Sequence, residues 1–271
     1  MLPSIMEAIV YFVVVAAFGL IALKAKTIDF WGFVASIFIG YVILIGGGWY
    51  WFLIMLIFFV ITTQFTKFKY SYKEMLGFAQ EKGGVRSWPN VLANGGAAAI
   101  FSIMELRFGG GIYAVAFLGA VASATADTLA TEIGLLSKRE PRLIINLKKI
   151  VTAGTSGGVT LVGTLAALFA SFIIGITAMI FNIITEASPI KILAIVTLGG
   201  ITGSIMDSIL GATIQRIGLC EKCGKITENL KHCGKLTKKL KGIGFVDNNV
   251  VNFLSTIIGA LIALALFIII I

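Results

Sequence analysis

GAVASATADTLATEIGLL, residues 119–136, is apolar enough to lie in a membrane, yet it carries Asp127 and Glu132 and is crowded with small residues. A carboxylate at bilayer depth costs roughly 2.5–3.5 kcal/mol on insertion scales, so it needs a pathway, a partner or a bound cation. Further along, the chain repeats the pattern: GGITGSIMDSI at residues 199–209 against GAVASATADTL at residues 119–129. Asp207 answers Asp127, Ser208 answers Thr128, and small residues align upstream. Two intramembrane aspartates at equivalent places in two similar segments point to one shared site. The plainer reading is that both segments hold small residues because helices pack there.

Working outward, the composition fits a polytopic, all-α membrane protein. Of 271 residues, 58% are hydrophobic and only 13% charged, where a soluble domain carries about 25%. The mean hydropathy is +0.99. Thirty-one glycines and four prolines suit closely packed helices, and no series of short alternating segments suggests a barrel. A net charge of +9 in a soluble chain would raise nucleic-acid binding. Here the basic residues sit in a few loops, so orientation and anionic substrates explain them and nucleic acid does not.

Eight apolar runs are long enough to span a bilayer: 4–23, 29–46, 49–66, 91–107, 112–135, 153–182, 190–213 and 249–271. The first lacks a basic start and a clear cleavage site, so it reads as a retained helix. The sixth is long enough to include non-spanning residues at its start. Lys and Arg fall after the first, third, fifth and seventh runs, among them Lys73, Lys82, Arg86, Lys138, Arg142, Lys148 and Lys222. The positive-inside rule makes that face cytoplasmic and places both termini outside, in the plasma membrane if the source is prokaryotic. The fifth and seventh runs then point the same way, each followed by a basic loop and a returning helix. That is a parallel duplication of two-helix units. The organisation reads as a three-helix segment over 1–66, a basic loop over 67–90 and a site-bearing membrane domain over 91–271. Its loops lie near 137–152 and 214–248.

Asp127 and Asp207 are the first choice for metal ligands, each on the order of 12–15 Å inside the cytoplasmic boundary at ~1.5 Å per residue. Mg²⁺ takes one or two carboxylates plus substrate phosphates. A proton or sodium relay, or neutral aspartates bonded to Thr and Ser, is the alternative. Glu132 lies near 140° round the helix from Asp127, at ~100° per residue; it pairs with Lys138 or Arg142 or extends the site at its rim. In KKIVTAGTSGG, residues 148–158, Lys148 and Lys149 precede Gly154, Thr155, Ser156, Gly157 and Gly158. Read at a helix start, that run offers free backbone donors to an anion, though glycine also serves packing, and no Walker A pattern is present.

Arg86, Asn90 and Asn94 form a third cluster, with Pro89 opening a helix. The two amides share a face, lining a polar cavity or bonding a neighbouring helix. Asp247, Asn248, Asn249 and Asn252 form a fourth; Asp and Asn are ordinary caps, but four polar groups in six residues exceed what a cap needs, which favours a site role. Cys220, Cys223, His232 and Cys233 share one basic loop. Three thiolates and an imidazole are a known zinc set, but adjacent His and Cys are an awkward pair for one tetrahedral ion. Free thiols are the default reading there, and a cytoplasmic setting disfavours disulfides.

RSWPNVLANGG (86–96), ADTLATEIGLLSKREPRLIINLKKIVTAGTSGGVTLVGT (126–164), GSIMDSILGATIQ (203–215) and VDNNVVNFLS (246–255) occur in that order. With them the chain resembles the integral membrane family that includes plant phytyl-phosphate kinase of vitamin E synthesis. That family is distantly similar to CTP-using polyprenol kinases and CDP-diacylglycerol synthase. The resemblance implies a nucleotide and Mg²⁺ near Asp127, Glu132, Asp207 and Asp247, with Lys148 and Arg142 on phosphates. The expected activity is Mg²⁺-dependent phosphoryl transfer from a nucleoside triphosphate, CTP by resemblance, to a polyprenyl or phytyl-type monophosphate at the cytoplasmic face. A CTP:lipid-phosphate cytidylyltransferase and an ion-coupled transporter of a phosphorylated solute stand as alternatives.

Overall fold

The structure, a computed structural model, describes residues 3–77 and 80–271, without the side chains of Glu81 and Lys82. Lys82, counted above among the loop cations, therefore lies outside the described side chains. Seven helices among the described residues are long and apolar enough to cross a membrane: α1 (Ile5–Lys24), α2 (Phe30–Lys67), α4 (Trp88–Phe108), α5 (Ile112–Gly134), α6 (Leu161–Ile180), α7 (Pro189–Thr213) and α8 (Asn248–Ile270). A short α3 (Tyr70–Met75) and a 3-10 turn (Glu81–Gly84) join α2 to α4.

Unbroken, the 38 residues of α2 would reach roughly 57 Å at ~1.5 Å each, twice a hydrocarbon core of about 30 Å. They do not run straight. Gly48 sits at φ 77°, ψ −167°, a conformation essentially restricted to glycine, and the helix reverses there. Its two arms lie together: a Cβ on Gly40 would come 3.2 Å from Phe52, and Gly95 of α4 touches both Ile39 and Met55. The second and third apolar runs of the sequence are therefore one hairpin without a loop, and the eight apolar runs fall on seven helices.

At the centre stands α5. Every residue from 114 to 126 is buried, as expected of a helix apolar on all sides, and α2, α4, α6, α7 and α8 pack around it. Trp51 stacks on Phe117, ring centroids 4.4 Å apart, fastening the second arm of α2 to α5. Where α5, α7 and α8 meet, side chains are nearly absent. A Cβ on Gly119 would lie 2.6 Å from Ala263 Cβ, and one on Gly199 would lie 2.8 Å from the same atom. The two glycines of the sequence repeat thus press on the same turn of α8, which lets backbones approach as small residues do in membrane bundles.

Beyond α5 and again beyond α7, the chain makes a β insert and returns as a helix. The first insert holds β1 (Arg142–Leu143), β2 (Asn146–Ile150) and β3 (Gly158–Val159), ordered β2-β1-β3. The second holds β4 (Ile217–Leu219), β5 (Ile226–Thr227), β6 (Lys231–His232), β7 (Lys235–Leu236) and β8 (Lys238–Lys241), as a β5-β4-β8 sheet and a β6-β7 hairpin. The apolar part is all-α, as expected, and the helix–insert–helix unit occurs twice. The small sheets were not expected: their strands are two to five residues long and mostly exposed, too short to leave an alternating pattern.

Candidate active site

Between α5, α6, α7 and the two inserts lies a cavity of about 270 Å³. Asp127 and Asp207 both line it, their carboxyl groups close enough to interact directly. Ser255 Oγ donates to Asp207 Oδ2 over 3.0 Å. Asn252, with its amide nitrogen turned to the carboxylate, donates to the same oxygen and to Asn248 O, both at 3.0 Å. Asn248, Asn252 and Ser255 share the face of α8 that closes the cavity, at the i, i+4, i+7 spacing of one helical stripe. Thr131, one turn after Asp127, and Ser204, almost one turn before Asp207, add hydroxyls to the lining.

Gly154, Thr155, Ser156 and Gly158 line the wall opposite. They do not start a helix as the sequence suggested. Thr160 caps α6, accepting from Gly163 N at 3.0 Å, and the glycine run is a turn leading into β3, with Gly154 at φ 77° and Gly157 at φ 80°. Gly157 also packs where no side chain fits: its Cβ would lie 2.8 Å from Ser208 O of α7. Ser156 Oγ donates to Gln215 Oε1 at 2.7 Å, and Gln215 Nε2 donates to Glu228 Oε2 at 2.6 Å. Gln215 and Glu228 thereby complete the lining from the second insert. Neither was foreseen. No spacing in a 34-residue polar loop marks them.

Three carboxylates line this cavity, and no Lys or Arg does among the described residues. Lys148 and Arg142, expected on phosphates, are not among the residues that line it. Lys148 and Lys149 are exposed on β2, and Arg142 Nη1 is spent on Leu147 O at 2.7 Å within its own insert. Glu132 is also elsewhere. It is buried, ion-paired with Lys73, and accepts from Gln80 Nε2 at 2.7 Å. Lys73, read as a loop cation, is itself buried against Phe65 O and Thr66 O. Asp247 serves as the cap of α8, accepting from Val250 N at 3.0 Å, and it is the next residue, Asn248, that lines the cavity. Asn249 accepts from Asn90 Nδ2 at 2.9 Å, tying α8 to α4.

Asn90 also closes a capping box with Ser87 at the start of α4, with Pro89 in the first turn as expected. Asn94 Nδ2 donates to Asn90 O at 2.9 Å. Asn90, Asn94 and Arg86 border a second, apolar cleft formed by α1, α2 and α4, with Val15, Phe18, Ile39 and Phe52 in its walls. Arg86 is nearly buried there, its guanidinium 5.6 Å from the centre of the Phe58 ring. Burial pushes it down to about 10, still charged at neutral pH.

The family described as "Integral membrane protein DUF92" matches residues 13–260 of the sequence, nearly the whole chain. The chain belongs to the DUF92 integral membrane family. Similar family-like proteins include Protein PGR of Arabidopsis thaliana, 32% identical over 73% of this chain and 74% of that protein. An uncharacterised membrane protein of Methanocaldococcus jannaschii is 28% identical over 80% of this chain and 87% of its own. Protein VTE6, chloroplastic, of Arabidopsis thaliana is 26% identical over 76% of this chain and 55% of that protein. No solved structure matches. The DUF92 match takes in both cavity aspartates, the glycine turn and the Cys/His loop.

Proposed function

We propose that this DUF92 protein transfers the terminal phosphoryl group of a nucleoside triphosphate, CTP by family resemblance, to an isoprenoid monophosphate at the membrane boundary. The observation that carries the reading is the meeting of Asp127 and Asp207, from two different helices, in one acidic cavity walled by a glycine turn. Two adjacent carboxylates repel one another unless a cation or a shared proton neutralises them, and a site beside a phosphate-bearing substrate favours the cation. The donor set, two aspartates among hydroxyls and an amide, is the hard-oxygen chemistry that suits Mg²⁺, which keeps room for waters and phosphates. Bound there, Mg²⁺ would supply charge neutralisation between donor and acceptor phosphates.

The chain's own residues do the rest. Asn252 and Ser255 fix Asp207 in one orientation by two donated hydrogen bonds. The 154–158 turn, with two positive-φ glycines, sets Gly154, Thr155, Ser156 and Gly158 on the cavity wall, where a bound phosphate would meet it. Lys148 and Lys149 form an exposed basic rim on the first insert, which raises the local concentration of an anionic nucleotide. The apolar cleft of α1, α2 and α4 offers room for an isoprenoid tail, but its lining shares no residue with the aspartate cavity, so in this reading the reacting phosphate lies at the aspartates and not at Arg86. An acceptor that is already an anion needs positioning more than a strong base. Both aspartate helices run unbroken and their repeat is parallel, whereas transporters commonly build sites from broken helices in inverted repeats.

The test is purified protein with Mg²⁺, CTP or ATP, and a panel of isoprenoid monophosphates, read by mass spectrometry. An isoprenoid diphosphate product is expected. A cytidine-bearing lipid would instead assign the cavity to cytidylyl transfer, and lipid left unchanged throughout would remove the proposal.

A further inference from the structure

The second insert carries a separate cluster. Cys220, Cys223, His232 and Cys233 present four donor atoms that all lie within 4.8 Å of one another. His232 Nδ1 is 3.5 Å from Cys223 Sγ and 3.3 Å from Cys233 Sγ. Tetrahedral zinc, at ~2.3 Å to sulfur and ~2.0 Å to nitrogen, separates such ligands by roughly 3.3–3.8 Å. An iron–sulfur cluster spreads its thiolates much wider, and all three cysteines are free rather than bridged.

The backbone explains how four ligands converge from so short a loop. Cys220-x-x-Cys223 is a closed knuckle: Gly224 N donates to Cys220 O at 2.8 Å and Cys220 N to Lys225 O at 2.9 Å, with Gly224 at φ 72°. On the other side, His232 pairs with Lys235 across the β6-β7 hairpin, so Cys233 and Gly234 are its two-residue turn. Both have positive φ, 51° and 76°, as a type I′ turn requires. A left-handed Cys233 brings its thiol to the side His232 faces, 3.3 Å from Nδ1, which relieves the awkwardness of adjacent residues serving one ion. Each half then reads Cys-Gly-Lys, at 223–225 and 233–235, and the lysines suit a site whose three thiolates leave it net anionic.

We infer that these four residues bind one structural zinc ion that staples the second insert. The insert needs one: its strands are two to four residues long and none of its residues enters an apolar core cluster, and small units without a core rely on metal or disulfide staples. Between the knuckle and the hairpin runs the segment with Glu228, whose backbone oxygen accepts from Arg216 at 3.3 Å. The zinc therefore holds one wall of the aspartate cavity without touching it.

The experiment is elemental analysis of the full-length protein purified in detergent without chelator, alongside Cys223→Ser and the Cys223→Ser/Cys233→Ser double variant. About one zinc per chain is expected in the wild type, with visible ligand-field bands of a tetrahedral thiolate site when cobalt replaces it. Loss of most of that zinc is expected in both variants. Wild-type protein free of zinc with three alkylatable thiols, iron in its place, or zinc retained in the double variant would each overturn the assignment. None of these readouts depends on catalysis, so the zinc site can fail while the proposed activity stands, and the reverse.

Discussion

At the scale of single residues, one distinction decides the reading: which acidic groups face the cavity and which are spent on the fold. Asp127→Asn and Asp207→Asn are each expected to lower turnover by about 10²-fold or more, the usual cost of a lost electrostatic group at a reacting centre. Insertion and size-exclusion behaviour should be unchanged, and activity within a few-fold of wild type would move the site elsewhere. Asp247→Ala should instead cost about 1 kcal/mol of stability, the loss of a helix cap, with turnover retained; a collapse of turnover would return Asp247 to the site. Lys73→Met leaves the buried Glu132 without its ion partner, a defect worth about 3–5 kcal/mol. Lys73→Met combined with Glu132→Leu should recover much of it, as thermal unfolding in detergent would show. The two aspartates were legible because a carboxylate in an apolar run stands out. The partner of Glu132 was not: Lys73 lies 59 positions away, on an element that the loop cations hid.

Elements were read well where hydrophobicity alone sets them. Apolar runs gave the helices and the doubled aspartate segment gave the repeat, since Gly119 and Gly199 turn out to press on the same part of α8. What composition cannot show is how chain direction changes. Gly48 folds α2 back with no polar loop to announce it, and the inserts hold strands too short for periodicity. The tight α5–α7–α8 contact makes its own prediction. A Cβ on Gly203 would run into Ser123, and Ser255 O is 3.0 Å away. Gly203→Val should cost about 1–3 kcal/mol by overpacking and spread the helices that carry Asp127 and Asp207. Lower thermal stability together with weaker turnover is expected, and an unperturbed variant would show that the contact is looser than described.

The whole molecule is a helical bundle in which one buried helix, α5, is wrapped by the others, and two inserts cap the same end of the bundle beside the aspartates. In the proposed reaction that arrangement would divide labour, the apolar cleft of α1, α2 and α4 taking lipid and the inserts meeting the nucleotide. If the basic inserts share one side of the membrane, Ser137→Cys and Thr185→Cys should label from opposite faces in sealed vesicles, with the modified residue located by peptide mass spectrometry so that the native exposed Cys223 and Cys233 are not counted. Labelling of both from one face would overturn that topology. The proposed function rests on a joint cation site at Asp127 and Asp207, and manganese, a paramagnetic stand-in for magnesium, would report on it directly. Electron paramagnetic resonance of the purified protein with nucleotide should show a bound Mn²⁺ signal that magnesium displaces and that either Asp127→Asn or Asp207→Asn removes. An undiminished signal in both variants would contradict the reading.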